Sequence, residues 1–189
     1  MKKYISNIFN VLFSPKEAFE TLKAETTMPL AIATIVWTNS IFFFAKHRVS
    51  SGFWGDAAFL ATYVFSMLGI LFVWFASGLF FEFTARIFSK SGRLRTLLTL
   101  SAYSLLPYIF VAPFELMKKF SPTGYFFGTK LEILLYLWVI ILYARALEKT
   151  YEIKFSSSLS LIFLPLLAVE FAVIWLIGTL FNLGYIYSV

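Results

Sequence analysis

Residues 57–88, AAFLATYVFSMLGILFVWFASGLFFEFTARIF, run into Ser89-Lys-Ser-Gly-Arg-Leu-Arg95 and then into residues 96–117, TLLTLSAYSLLPYIFVAPFELM. An α-helix needs about 20 predominantly apolar residues to cross a hydrocarbon core of ~30 Å. Both stretches meet that length, and the connector between them is short and basic. The pattern predicts two membrane-spanning helices joined by a cytoplasmic turn.

The rest of the chain extends this pattern. Hydrophobic residues make up 60% of the 189 residues and charged residues only 14%. Soluble domains hold about 45–50% apolar and about 25% charged residues. The apolar excess falls in blocks, giving expected spans at 28–45, 57–88, 96–117, 131–147 and 159–183. The expected fold is therefore all-α, a polytopic bundle of five transmembrane helices. Short amphipathic helices in residues 1–27 precede it, and residues 28–189 form the membrane domain.

Within residues 2–13, Ile5, Ile8, Phe9, Leu12 and Phe13 follow the spacing of one helical face. Ser6, Asn7 and Asn10 interrupt any apolar run, so this is not a cleaved signal. It reads as an interfacial helix. Ser14-Pro-Lys-Glu17 carries a capping residue, a proline suited to the first helical position and a capping-box acid, which start a second helix. Thr26-Thr-Met-Pro29 is expected to end it. Ser50-Ser-Gly52 and Gly55-Asp56 read as a tight loop, and Lys118–Lys130 as a loop containing Pro122, Gly124 and Gly128. Pro107 and Pro113 should kink or break span three, because each removes a backbone donor.

Five spans place the termini on opposite sides. Of the 16 Lys and Arg residues, 11 fall on the N-terminal side and 5 on the other. Positively charged connectors stay inside. The expectation is an integral membrane protein with a cytoplasmic N-terminus and an outside C-terminus, in the cell membrane if the source is prokaryotic. The net charge of +6 is then a topology signal. No segment is long enough to present the basic folded face that nucleic-acid binding requires.

No catalytic constellation is present: no Ser/His/Asp set, phosphate-cradling glycine loop or HExxH motif. With no cysteine, thiolate chemistry and Cys-based metal sites are excluded. His47, between Lys46 and Arg48, reads as a solvated loop residue. No cofactor or metal is expected. The polar residues inside the spans are the candidates for function. Glu170, near the middle of span five, is the sharpest, since an ionised carboxylate there needs a partner, water or a proton. Asn39, Tyr103 and Ser104 are its candidate partners, and Pro107 lies one turn from Tyr103. Glu82 and Arg86, four apart, can pair on one helix face. Glu115, beside Lys118 and Lys119, reads as an end-of-span anchor. Lys2, Lys3, Lys90, Arg93 and Arg95 are candidates for binding anionic lipid headgroups.

Several of these residues together resemble a known family. Phe13-Ser-Pro-Lys-Glu-Ala-Phe19 before span one is similar to the Pro-x-x-x-Phe lead-in of the bacterial and archaeal branch of the Yip1 family. Ser91-Gly-Arg93 resembles its Gly/Arg turn, and Ala102-Tyr-Ser-Leu-Leu-Pro107 its Tyr-to-Pro motif in span three. Trp138 and the polar connector leading to Ser156–Ser160 are similar to its transition from span four to span five. The resemblance implies five helices, a cytosolic N-terminus and a compact bundle. Eukaryotic relatives act in membrane traffic and associate with small GTPases. Their long cytosolic N-terminal region and Asp-Leu-Tyr-Gly-Pro-type motif have no counterpart here, so GTPase recruitment is not carried over.

The functional expectation is a non-enzymatic protein that organises membranes or serves a trafficking-type role through the lipid bilayer, a membrane-protein partner or a second copy of itself. The alternative is a small transporter, channel or lipid scramblase with a polar cavity around Glu170.

Overall fold

The computed structural model describes residues 2–24, 27–48, 57–87, 93–165, 167 and 171. Among these the chain is helical, in the order α1 (Lys2–Phe13), α2 (Pro15–Ala24), α3 (Met28–Arg48), α4 (Ala57–Ile87), α5 (Leu94–Tyr103), a 3-10 segment (Leu106–Phe110), α6 (Val111–Phe120) and α7 (Pro122–Tyr151). A shorter apolar helix, α8 (Phe155–Pro165), follows. Among the described residues four segments are long and apolar enough to cross a membrane: Met28–His47, Ala57–Arg86, Leu94–Phe120 and Pro122–Tyr151. With α8 opening a fifth apolar segment, the all-α polytopic bundle expected from the sequence is the fold. The expected loop at 50–56 and most of the basic turn at 89–95 lie outside the described residues, as does most of span five.

The spans alternate in direction. Met28, at the start of α3, packs near Leu94 and Leu98 of α5 and Trp74 of α4. Ala85, near the end of α4, packs with Leu97, Leu147 and Tyr151. This is the near end of the bundle, the end that also carries α2. The far end holds the close of α3 and the α6–α7 turn. α5 is the central element, with every residue from Thr96 to Tyr103 buried. Its apolar side chains serve three of the bundle's cores. α4 is the opposite case: Leu60, Phe65, Leu68, Phe72 and Phe83 stand exposed on a surface suited to lipid. Trp74 Nε1 donates to the Leu98 carbonyl oxygen at 3.2 Å and to Ser101 Oγ at 3.0 Å, which fastens α4 to α5. Bonds of this kind are retained inside a membrane because an unmet donor has no water to turn to.

The prolines act differently from one another. Pro107 lies in the 3-10 segment that interrupts span three, as its missing donor dictates. Pro113 lies in the first turn of α6, where the amide has no intrahelical acceptor, so it causes no break. Pro29 likewise lies in the first turn of α3.

The largest departure from expectation is at 118–130. This is not a loop. Only Ser121 separates α6 from α7, and its hydroxyl caps α7 by accepting from the Gly124 amide at 2.9 Å. Span four is thus no short helix. At 1.5 Å per residue, α7 is about 45 Å long. The glycines that suggested a loop form a packing seam instead. A Cβ on Gly124 would lie 2.3 Å from the Met117 carbonyl oxygen, and one on Gly128 would lie 2.9 Å from the Phe114 carbonyl oxygen. Small residues four apart let two helix backbones approach this closely. His47 is also helical. It lies in the last turn of α3, its Nδ1 3.0 Å from the Phe43 carbonyl oxygen and its ring stacked on Phe43 at 4.0 Å.

Because this seam admits no side chain, Gly124→Ala should destabilise the protein by roughly 1–3 kcal/mol through overpacking. Gly69 provides the control, since a Cβ there would meet nothing within 4 Å. Thermal unfolding in detergent should show a lowered midpoint for Gly124→Ala and an unchanged one for Gly69→Ala.

Candidate functional site

The bundle has two polar ends, built differently. At the near end, α7 outruns the hydrocarbon. Its apolar run closes at about Tyr143, and Arg145, Glu148 and Lys149 follow. α2 docks on this projecting part. Phe19 is fully buried and shares a core with Leu22, Leu100, Tyr103, Leu106, Leu142 and Ala146. Two reciprocal ion pairs clamp the same contact: Lys23 Nζ to Glu152 Oε1 at 2.7 Å, and Lys149 to Glu20. The hydrogen bond and charge of Lys149 hold the Glu20 carboxyl below the usual carboxylate range, so it remains charged at neutral pH. Glu152 ends α7 in the left-handed region, with φ 54°, a conformation that favours glycine.

α1 is carried by this clamp. Ile8, Val11 and Leu12 turn into the same core, alongside Ile109, Phe110 and Trp138. Phe9 and Phe13 do not. They are 58% and 70% exposed and stack on each other at 6.2 Å. The face inferred from sequence is therefore divided. Val11, absent from that reading, is buried, and two phenylalanines are left outside. Phe110 and Trp138 precede the polar end of α7, so α1 packs beside the region where the apolar run of α7 gives way to charged residues.

Glu82 and Arg86 form the expected pair at the same end, Arg86 Nε to Glu82 Oε1 at 3.1 Å. Tyr151 adds a bond that the sequence did not indicate, its hydroxyl donating to Glu82 Oε2 at 3.2 Å. Arg93 and Arg95 are exposed at the start of α5, and Lys16 and Lys154 are exposed as well. Lys2 and Lys3 lie in the first turn of α1. Lys90 and Glu170 lie outside the described residues.

The other candidates serve separate contacts. Asn39 Nδ2 approaches Ser66 Oγ at 3.4 Å and Met67 Sδ at 3.3 Å across the α3–α4 contact. It also lines a cavity of about 210 Å³ with Thr38, Phe42, Ile70, Leu105 and Tyr108. Tyr103 belongs to the α2–α5–α7 core. Ser104 Oγ donates to the Leu100 carbonyl oxygen of its own helix at 3.3 Å. Pro107 is buried in the 3-10 segment.

The far end holds a cluster that sequence reasoning missed. Lys46 of α3 reaches Glu115 Oε1 of α6 at 2.6 Å and also bonds Glu132 of α7. Lys118 reaches Glu115 Oε1 at 2.7 Å and also bonds Glu132. Tyr136 donates its hydroxyl to Glu132 Oε1 at 2.8 Å. Both glutamates are 7% exposed. Two cations and two anions make a neutral set across three helices, so Glu115 does far more than anchor a span end. The clue in the sequence was Glu132, an acid one residue inside the expected span four. Among the described residues no buried side-chain polar atom lacks a partner.

A family model for the Yip1 domain matches residues 9–178, and the chain belongs to the Yip1 family. No curated protein and no solved structure gives a match.

Removing one member of the far-end cluster strands a buried opposite charge, which costs roughly 3–5 kcal/mol. Lys118→Met should cause a loss of that order. Adding Glu132→Leu to it, so that charges leave in balance, should recover part of the loss. Unfolding of purified protein in mixed micelles measures both, and additive losses would contradict a coupled set.

Proposed function

We propose that this chain is a non-enzymatic, membrane-organising protein whose near end is its working face, set against an anionic cytoplasmic leaflet. One observation carries the reading: a rigidly clamped α2 holds α1 in place with Phe9 and Phe13 presented outward. An amphipathic helix with exposed aromatic groups inserts its apolar face ~5–10 Å into the headgroup boundary and responds to curvature and lipid composition. The same end of the bundle carries exposed cations, among them Lys16, Arg93, Arg95 and Lys154. Each contributes about 1 kcal/mol of attraction when near anionic headgroups.

The role is therefore recognition or shaping of a membrane surface, in the trafficking-type class that the family resemblance implies. A membrane-protein partner or a second copy of the chain would meet the exposed apolar band of α4. The same reading places the N-terminus in the cytoplasm and Lys2, Lys3 and Lys90 with the headgroup-binding cations. Among the described residues the buried carboxylates of the spans, Glu82, Glu115 and Glu132, are paired with cations toward the two ends, an arrangement that favours packing over conduction. The transport alternative rests on Glu170.

Purified protein reconstituted into giant vesicles containing anionic lipid tests this reading directly. Fluorescently labelled wild type should concentrate in membrane tubes pulled from the vesicles. Phe9→Ser with Phe13→Ser should spread evenly between tube and vesicle while remaining inserted. Equal distribution of the wild type would contradict the proposal. Proton or cation flux that Glu170→Gln abolishes would favour transport instead.

A further inference from the structure

A groove of about 420 Å³ opens at the near end, on the opposite flank of α7 from α2. Thr84 and Ala85 of α4, Tyr151 at the end of α7, and Ile153, Ser157, Ser160, Leu161, Leu164 and Pro165 in and before α8 line it. The lining is almost wholly apolar, with the hydroxyls of Thr84, Ser157 and Ser160 among the side chains. Its depth is fixed by its neighbours. Tyr151 and Ala85 belong to the core at the polar boundary of the bundle, whereas Leu161, Leu164 and Pro165 lie one to three turns further along α8. The groove therefore runs from the headgroup region toward the hydrocarbon.

Two basic residues adjoin lining residues in sequence at its upper end, and one of them is paired with Glu82. Arg86 adjoins the lining residue Ala85 and is 72% exposed at its side chain. Lys154 adjoins the lining residue Ile153 and is exposed. The nearby acids are already engaged: Glu82 with Arg86 Nε and the Tyr151 hydroxyl, and Glu152 with Lys23. Arg145, the next cation, is paired with Glu148 at 2.6 Å, and its guanidinium covers the Phe155 ring at 4.1 Å, which fixes the start of α8 against α7.

We propose that this groove is a binding site for one anionic phospholipid. One acyl chain occupies the slot between α4 and α8, and the phosphate meets Arg86 and Lys154. The apolar walls select a hydrocarbon chain, and the charge of Lys154, with hydrogen bonds from the Arg86 guanidinium, selects a negative headgroup. This site deepens the lipid part of the reading above and depends on it only in setting the near end at a membrane surface. It does not involve α1. Lipid retention in detergent and enrichment in tubes can therefore fail independently of each other.

The test is native mass spectrometry of the full chain in mild detergent, titrated with phosphatidylglycerol and separately with phosphatidylcholine. Wild type should hold one phosphatidylglycerol in preference to phosphatidylcholine. Ser157→Trp with Ser160→Trp fills the slot from exposed positions and should abolish that bound lipid with the unfolding midpoint unchanged. Lys154→Gln should weaken phosphatidylglycerol binding about fivefold, the loss of one ~1 kcal/mol contact. Glu82→Gln with Arg86→Gln removes a neutral pair and with it only the guanidinium's hydrogen bonds to the phosphate, and should weaken binding less than Lys154→Gln does. Equal retention by wild type and the groove-filled protein, or equal binding of the two lipids by wild type, would overturn the proposal.

Discussion

An ionised side chain within a membrane must be neutralised by another, and in this protein that constraint organises the far end. Lys46, Glu115, Lys118 and Glu132 come from three helices, and no two neighbouring helices can slide without parting them. Each charge alone would cost about 2.5–3.5 kcal/mol at the centre of a span. Together they are a neutral unit near its end. The unit depends in turn on Gly124 and Gly128, since α6 and α7 bring Glu115 and Lys118 to Glu132 only because their backbones nearly touch. Packing and charge are one arrangement here: the seam sets the register, and the register closes the ion cluster.

The near end follows a different logic. There α7 leaves the hydrocarbon, and water is available to its polar residues. The ion pairs of α2 with Lys149 and Glu152 have exposed partners and are screened by salt, so they align the helix more than they hold it. Burial of Phe19 supplies the holding force. A helix that is well fixed can present side chains at a constant depth, which is the property that the proposed membrane contact of Phe9 and Phe13 requires. The carboxylates of the far-end ion cluster are closed off from water, although Phe120, Tyr125, Phe126 and Phe127 stand exposed around it, whereas the near end presents an amphipathic helix and exposed cations together.

Much of this was legible in the sequence. Long apolar blocks reveal spans because hydrocarbon leaves the backbone no partner but itself. Glu82 and Arg86 were legible as a pair because helix geometry is local. The α6–α7 turn was misread because Gly124 and Gly128 carry two meanings, loop flexibility and close helix contact, and only the partner helix decides between them. Glu132 passed unnoticed because its partners Lys46 and Lys118 are 86 and 14 residues away. Val11 was missed for a related reason: which residues of an amphipathic helix are buried depends on what it docks against, and α1 docks on protein along one edge and leaves Phe9 and Phe13 on the other.

A cytoplasmic working face requires the two ends to face opposite sides of a membrane. The chain has no cysteine, so single cysteines can be introduced at Ser121, in the α6–α7 turn, and at Ser157, near the start of α8. Intact cells would be treated with a membrane-impermeant thiol reagent before and after permeabilisation. Ser121→Cys should label in intact cells, and Ser157→Cys only once the membrane is opened. Labelling of Ser157→Cys from outside, or of both positions from the same side, would contradict the assignment of the near end as the cytoplasmic working face.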